Sequence, residues 1–242
     1  MFSATPSHLG YKKTAALTHE SFWLDNPDRP PARPALKTSL DADLVVVGAG
    51  FTGLWSALEA AVEHPEWSIV LLEGERIAGG ASGRNGGFVA ASLTHGFSNG
   101  LTRWPNEMPE LLRLGSQNLV QMGERVVQLG IDCDWIVSGE IDVATEEYQA
   151  KDLKDVHAQM KGLGVCAEYL TAGEIQARVN SPIYQGALFD PNVAIVDPAR
   201  LAWGLARELD RLGVLIYENS AVTNLEDRGP LVRVQAGAHS VS

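Results

Sequence analysis

Leu44-Val45-Val46-Val47-Gly48-Ala49-Gly50-Phe51-Thr52-Gly53 is the stretch on which the reading of this chain turns. The run 44–47 is short, apolar and rich in β-branched residues, which suits a strand buried on both faces. It leads straight into G-x-G-x-x-G. Gly48 permits a tight turn, Gly50 lets the backbone approach a pyrophosphate, and Gly53 lets helix and strand pack closely. Leu54 to Glu63 then reads as a helix that stops at His64-Pro65. Its first N–H groups, around Phe51 and Thr52, and the positive end of its dipole would face the phosphates. Trp67 to Leu72 reads as a second buried strand. The whole is a β-turn-α-β of the size expected for a right-handed parallel unit.

Downstream of this unit, two further features bear on the ligand. Glu73 ends the second strand, twenty residues past Gly53. A carboxylate there can accept hydrogen bonds from ribose hydroxyls and would repel a 2′-phosphate, which disfavours NADP. Without a ligand, the same residues would be a strand–turn–strand with a capping Glu. Gly79-Gly80-Ala81-Ser82-Gly83-Arg84-Asn85-Gly86-Gly87 follows, with five glycines in nine residues. Such a loop exposes backbone N–H groups to a ligand that comes very near. Ser82 can offer a hydroxyl and Arg84 a guanidinium to phosphate oxygens, and Asn85 with Gly86-Gly87 can lie against a flat ring. A domain that binds NAD alone does not require this second loop. The plainer reading is a flexible surface loop, which its placement directly after Glu73 disfavours.

Upstream, residues 1–40 carry five basic and three acidic residues and four closely spaced prolines, Pro27, Pro30, Pro31 and Pro34. Asn26 to Pro34 should be extended, because proline fixes φ and removes donors. Phe22, Trp23 and Leu24 are expected to anchor this arm on the folded body. Beyond the second loop, Glu107–Leu129 and Glu146–Lys161 read as helices. Glu140–Thr145 alternates like a half-buried strand, and Tyr184–Phe189 reads as another. Thr171 and Glu174 form a capping box that opens a short helix to Val179. Asp197-Pro198 supplies an N-cap and an N1 proline for a helix over Ala199–Leu212. Val214–Tyr217 is expected to be a buried strand, and Val222–Glu226 with Leu231–Ala236 a hairpin.

Composition narrows the possible functions. The chain has 242 residues, 45% hydrophobic and 20% charged, with a mean hydropathy near zero, values of an ordinary globular protein. A net charge of −11 gives no global electrostatic reason to bind nucleic acid or anionic lipid. Two cysteines, Cys133 and Cys166, exclude a disulfide framework and a four-cysteine zinc site. They suit a reducing compartment, and the cytoplasm is the expected location. No apolar run is long enough to span a bilayer. The six histidines show no metal spacing, so no metal is expected. There is no C-x-x-C, and no G-x-S-x-G for a hydrolase.

Residues 41–54, Glu73 and residues 80–87 together resemble the FAD-dependent D-amino-acid oxidase superfamily, in its branch of gamma-glutamylputrescine oxidases and related amine oxidases. The resemblance continues at Gly186–Asn192 and Val196–Leu201. It implies an α/β fold, with FAD held on a Rossmann-like domain that has a parallel sheet. An α+β substrate domain with antiparallel strands would lie beside it. Carried over, residues 1–40 are an arm, 41–94 and 196–242 the FAD domain, and 95–195 part of the substrate domain. The cofactor-binding residues so implied are Gly48, Gly50, Phe51, Thr52, Gly53, Glu73, Ala81, Ser82, Arg84, Asn85, Gly86, Gly87 and Val222, whose backbone would meet the adenine. Family members continue well past the point where this sequence ends. The resemblance therefore implies the N-terminal part of a longer protein, with an incomplete substrate domain and substrate-holding residues beyond Ser242. No catalytic residue is assigned. The implied reaction is hydride transfer from the carbon beside an amine nitrogen to flavin N5, giving an imine. The substrate would be a small amine or amino acid, and oxygen or another acceptor would reoxidise the flavin. An inactive FAD-binding module and an NAD-dependent dehydrogenase remain the alternatives.

Overall fold

The structure, a computed structural model, describes residues 21–242. The first half of the expected arm, including Lys12 and Lys13, lies outside the described residues.

The elements, in chain order, begin with the predicted unit: β1 (Leu44–Val47), α1 (Phe51–Glu63) and β2 (Ile69–Leu72). A single 3-10 turn at Ala81–Gly83 precedes β3 (Phe88–Ala90), α2 (Phe97–Arg103) and α3 (Met108–Gln128). There follow β4 (Ile136–Val137), β5 (Glu140–Ala144), α4 (Glu147–Gly162), β6 (Glu168–Thr171), α5 (Ala172–Arg178), β7 (Gly186–Asp190) and β8 (Val193–Ile195). The chain ends in α6 (Pro198–Arg211), β9 (Leu215–Tyr217), β10 (Val222–Asp227), β11 (Val232–Ala236) and β12 (His239–Val241). Four three-stranded sheets result, ordered β1-β2-β9, β10-β11-β12, β3-β8-β4 and β5-β7-β6. The first is parallel and the other three antiparallel. This is the α/β architecture with added antiparallel strands that the sequence implied.

β2 holds the centre of the parallel sheet and is buried along its whole length. Its side chains alternate between two cores, as strand geometry requires. Ile69 and Leu71 face the cluster built by α1 and α6, where Leu54, Leu58, Leu205 and Leu209 are fully buried. Val70 and Leu72 face a second cluster under the β10–β12 meander, with Val234 and Val241. Leu36 and Leu40, at the end of the arm, complete that second cluster. β1 departs from expectation. It pairs on one side only, so Leu44 to Val46 are half-buried and Val47 is 53% exposed. Among the described residues β1 lies at the edge of its sheet, paired with β2 alone.

The helix signals act as read. Asp197 accepts hydrogen bonds from the N–H groups of Ala199 and Arg200 at 2.9 and 3.0 Å, and Pro198 sits in the first turn. Such a cap satisfies donors the helix cannot use itself. Thr171 and Glu174 form the reciprocal capping box of α5. α4 begins with a box not anticipated from sequence, Glu146 with Gln149. The arm is less regular than its prolines suggest. Asn26 Oδ1 accepts from Asp28 N at 2.8 Å, and this Asx turn bends the chain at Pro27–Asp28. From Arg29 to Lys37 it runs without regular structure.

Candidate functional site

The first glycine loop is forced by sterics. Gly48 has φ +95°, the left-handed region that favours glycine. An ideal Cβ on Gly53 would stand 1.9 Å from the Gly48 carbonyl oxygen, so no side chain fits there. Gly50 is the N-cap of α1 but offers no side chain, and the first turn of the helix holds no acidic residue. The N-terminal N–H groups are therefore free of the carboxylate that would compete with an anion.

Glu73 ties this loop to the sheet. Its Oε2 accepts from Ala49 N at 2.7 Å and its Oε1 from Glu75 N at 2.8 Å. Each oxygen retains a further lone pair for an incoming hydroxyl. The segment before β10 runs alongside: Ser220 N donates to the Glu73 carbonyl at 2.8 Å and Asn219 N to the Glu75 carbonyl at 2.9 Å. An ideal Cβ on Gly74 would lie 3.6 Å from Ala221 Cβ. Val222 thus starts its strand next to the Glu73 turn, half-buried.

The second loop closes over the first. Ser82 Oγ accepts from Phe51 N at 2.9 Å, and a Cβ on Gly50 would meet that same Oγ at 3.1 Å. The hydroxyl proton stays available for a phosphate oxygen. Val47, Gly48, Gly50, Phe51, Thr52, Gly53, Ala81, Ser82 and Asn85 line one open groove of about 480 Å³. None is acidic. The group implied by the sequence fits here: the glycines leave room for a backbone-close ligand, and the donors suit phosphate.

Two loop residues are engaged within the loop itself. Asn85 Nδ2 donates to the carbonyls of Ala81 and Ser82 at 3.1 and 2.8 Å, and its Oδ1 accepts from Gly87 N at 2.8 Å. Arg84 Nε donates to the Gly79 carbonyl at 2.7 Å, leaving its terminal nitrogens exposed. In this conformation Asn85 shapes the loop rather than offering its amide outward. Gly87, at φ +77°, has its Cβ position 2.4 Å from the Val196 carbonyl oxygen, and Gly86 faces the Phe88 ring.

A larger cavity of about 640 Å³ lies between α3, α4 and the β5–β7 pair. Glu140, Asp142 and Asp190 line it. Burial raises the carboxyl pKa of Glu140, and the charges of Asp142 and Asp190 raise it further. Asp142 is raised the same way, by burial first and Asp190 second. Among the described residues no group of three or more His, Cys, Asp or Glu could hold a metal ion. Among the described residues no helix is long and apolar enough to cross a membrane. Both cysteines are free. Cys133 is buried, which lifts its thiol to about 11 although Arg200 opposes the shift.

Sequence reasoning missed what supports the loops from behind. Glu218 is 2% exposed, yet its carboxylate accepts from Ile77 N and Arg33 N, each at 2.7 Å, and pairs with Arg76 Nε at 3.0 Å. One signal was available: a Glu directly after the apolar run Val214–Tyr217 sits where burial requires a partner.

The family model for DAO, FAD dependent oxidoreductase, matches residues 43–241. The chain is 30% identical over 228 residues to a probable oxidoreductase OrdL of Haemophilus influenzae, covering 91% of this chain and 51% of that protein. It is 35% identical over 202 residues to gamma-glutamylputrescine oxidoreductase of Escherichia coli, covering 81% and 46%. It thus spans about half the length of the curated relatives it matches. Among solved structures, glycine oxidase from Geobacillus kaustophilus superposes with a TM-score of 0.74 at 23% identity, over 84% of this chain and 54% of that one. L-amino acid deaminase from Proteus myxofaciens does so with a TM-score of 0.67 at 21% identity, over 94% and 46%. These likenesses show the fold, and the match over residues 43–241 shows the family: this chain belongs to the DAO family of FAD-dependent oxidoreductases.

Proposed function

We propose that residues 41–94 and 196–242 hold FAD, and that the protein oxidises a small amine or amino acid at the carbon beside nitrogen. The observation that carries the cofactor placement is the Ser82 Oγ–Phe51 N hydrogen bond, which puts both glycine loops on one groove. The helix N-terminus and Ser82 would hold the pyrophosphate, Glu73 the ribose, and the backbone at Val222 the adenine. The flat ring would lie against the backbone at Gly86 and Gly87, which Asn85 keeps in place. FAD supplies a hydride acceptor at N5, which leaves the substrate as an imine. The substrate class rests on the relatives' names, gamma-glutamylputrescine oxidoreductase and glycine oxidase. Residues 95–195 would contribute to the substrate side, and oxygen or another acceptor would take the electrons. Two unpaired cysteines support a reducing, cytoplasmic setting.

The visible spectrum of the purified chain tests this. Flavin bands, or uptake of added FAD, are expected. A colourless protein that takes up no FAD overturns the placement, and binding of NADH instead would favour a nicotinamide dehydrogenase. Anaerobic bleaching of the bound flavin by amines or amino acids then tests the reaction, and no bleaching with any of them would leave a binding module.

A further inference from the structure

The arm runs along the face of the second glycine loop that points away from the groove. Ser21 Oγ donates to the Gly83 carbonyl at 2.6 Å, and Trp23 Nε1 donates to the Asn85 carbonyl at 2.8 Å. Leu24 is buried beneath the 3-10 turn, its Cδ2 2.9 Å from where a Gly83 Cβ would stand. The Trp23 ring edge comes 3.5 Å from the Cβ position of Gly87. Farther along the arm, Arg76 donates to the Pro30 carbonyl at 2.6 Å, and Glu218 joins Arg33 N to Ile77 N. Residues 76–87 are therefore fastened at both ends of the arm.

A loop with five glycines loses more conformational freedom on becoming ordered than other chain does. If it is already held in its bound shape, less of the binding free energy goes into ordering it. The two carbonyls taken by the arm belong to Gly83 and Asn85, in the same loop as Ser82, which lines the groove. We propose that Ser21, Trp23 and Leu24 are positioning residues: they hold the 81–87 loop in its cofactor-binding shape, so FAD affinity is set partly by a segment that does not touch the cofactor. This rests on the FAD placement argued above.

The test compares the wild-type chain with Ser21→Ala, which removes one donor, and Trp23→Phe, which keeps a ring but loses the other. FAD and ADP are titrated against each, with the visible circular dichroism of bound flavin and the melting curve of the flavin-free protein recorded alongside. ADP lacks the flavin ring. Expected are a FAD Kd raised about tenfold or more, an ADP Kd raised as well because Ser82 would hold its diphosphate, an altered flavin dichroism, and an unchanged melting curve. Wild type that binds no FAD overturns the FAD placement, and this proposal with it. Wild type that binds FAD, with both variants binding it equally well, overturns the brace alone. Weakening of both ligands with an unaltered flavin dichroism, or weakening only in step with a lowered melting temperature, also overturns it.

Discussion

Single residues carry the site, and much of it was legible because glycine is required for reasons of space. Gly50 faces Ser82 Oγ at contact distance. Gly50→Val should therefore abolish flavin uptake, by displacing Ser82 and filling the groove, while the far-ultraviolet spectrum stays that of a folded chain. Retained flavin in that variant would count against the placement. The partners of the supporting residues were not legible. Nothing local marks Ala49 N as the partner of Glu73, or the Asn85 carbonyl as that of Trp23, because both contacts span distant positions. The cysteines give a second residue-level expectation. Burial that lifts Cys133 to about 11 leaves on the order of one thiol in ten thousand ionised at neutral pH. Cys166 is exposed and should react with a thiol reagent in the native state, while Cys133 should react only after unfolding. Fast labelling of both would show that the α6 core opens readily.

At the level of elements, helices declared themselves through their ends and strands did not. Asp197-Pro198 and Thr171-Glu174 name their helices because a cap is a contact between near neighbours. β3, β4 and β8 were not foreseen: they are two or three residues long and exist only through the Phe88–Ile195–Ile136 register. Asp197→Ala should cost about 1–2 kcal/mol by chemical denaturation, at the upper end for a cap because both accepted hydrogen bonds are partly or wholly buried. A loss below a few tenths would mean that water replaces the carboxylate. The β5–β7 pair carries a pH dependence of its own. The folded state raises the carboxyl pKa of Glu140 and Asp142, so it binds their protons more tightly than the unfolded chain. Their contribution favours folding at low pH and is lost as pH rises through the raised values. Asp142→Asn should thus raise the melting temperature at neutral pH, and the gain should shrink as pH falls into the ordinary carboxylate range. A gain independent of pH would rule out charge as its source.

For the molecule as a whole, the sequence pointed to a nucleotide fold wound through the chain, and the structure shows how the parallel sheet, its helices and the meander depend on one another. Composition pointed to an ordinary globular chain, whereas the covered meander face and the fastened arm depend on contacts between distant parts of the chain, as between Leu36, Leu40 and Val241. The order β1-β2-β9 carries a consequence for synthesis. On a ribosome, β1, α1 and β2 emerge early, but the strand beside β2 and the helix that covers α1 come only with residues 198–217. Until then β2 has one strand beside it, α1 on one face and no meander on the other. Everything from β3 to β8 must be made, and can begin to fold, while the sheet behind the groove between the glycine loops is still unfinished. On the proposed FAD placement, capture of the cofactor by the nascent chain would be a late event, and ribosome-bound chains stalled before Pro198 should retain no flavin.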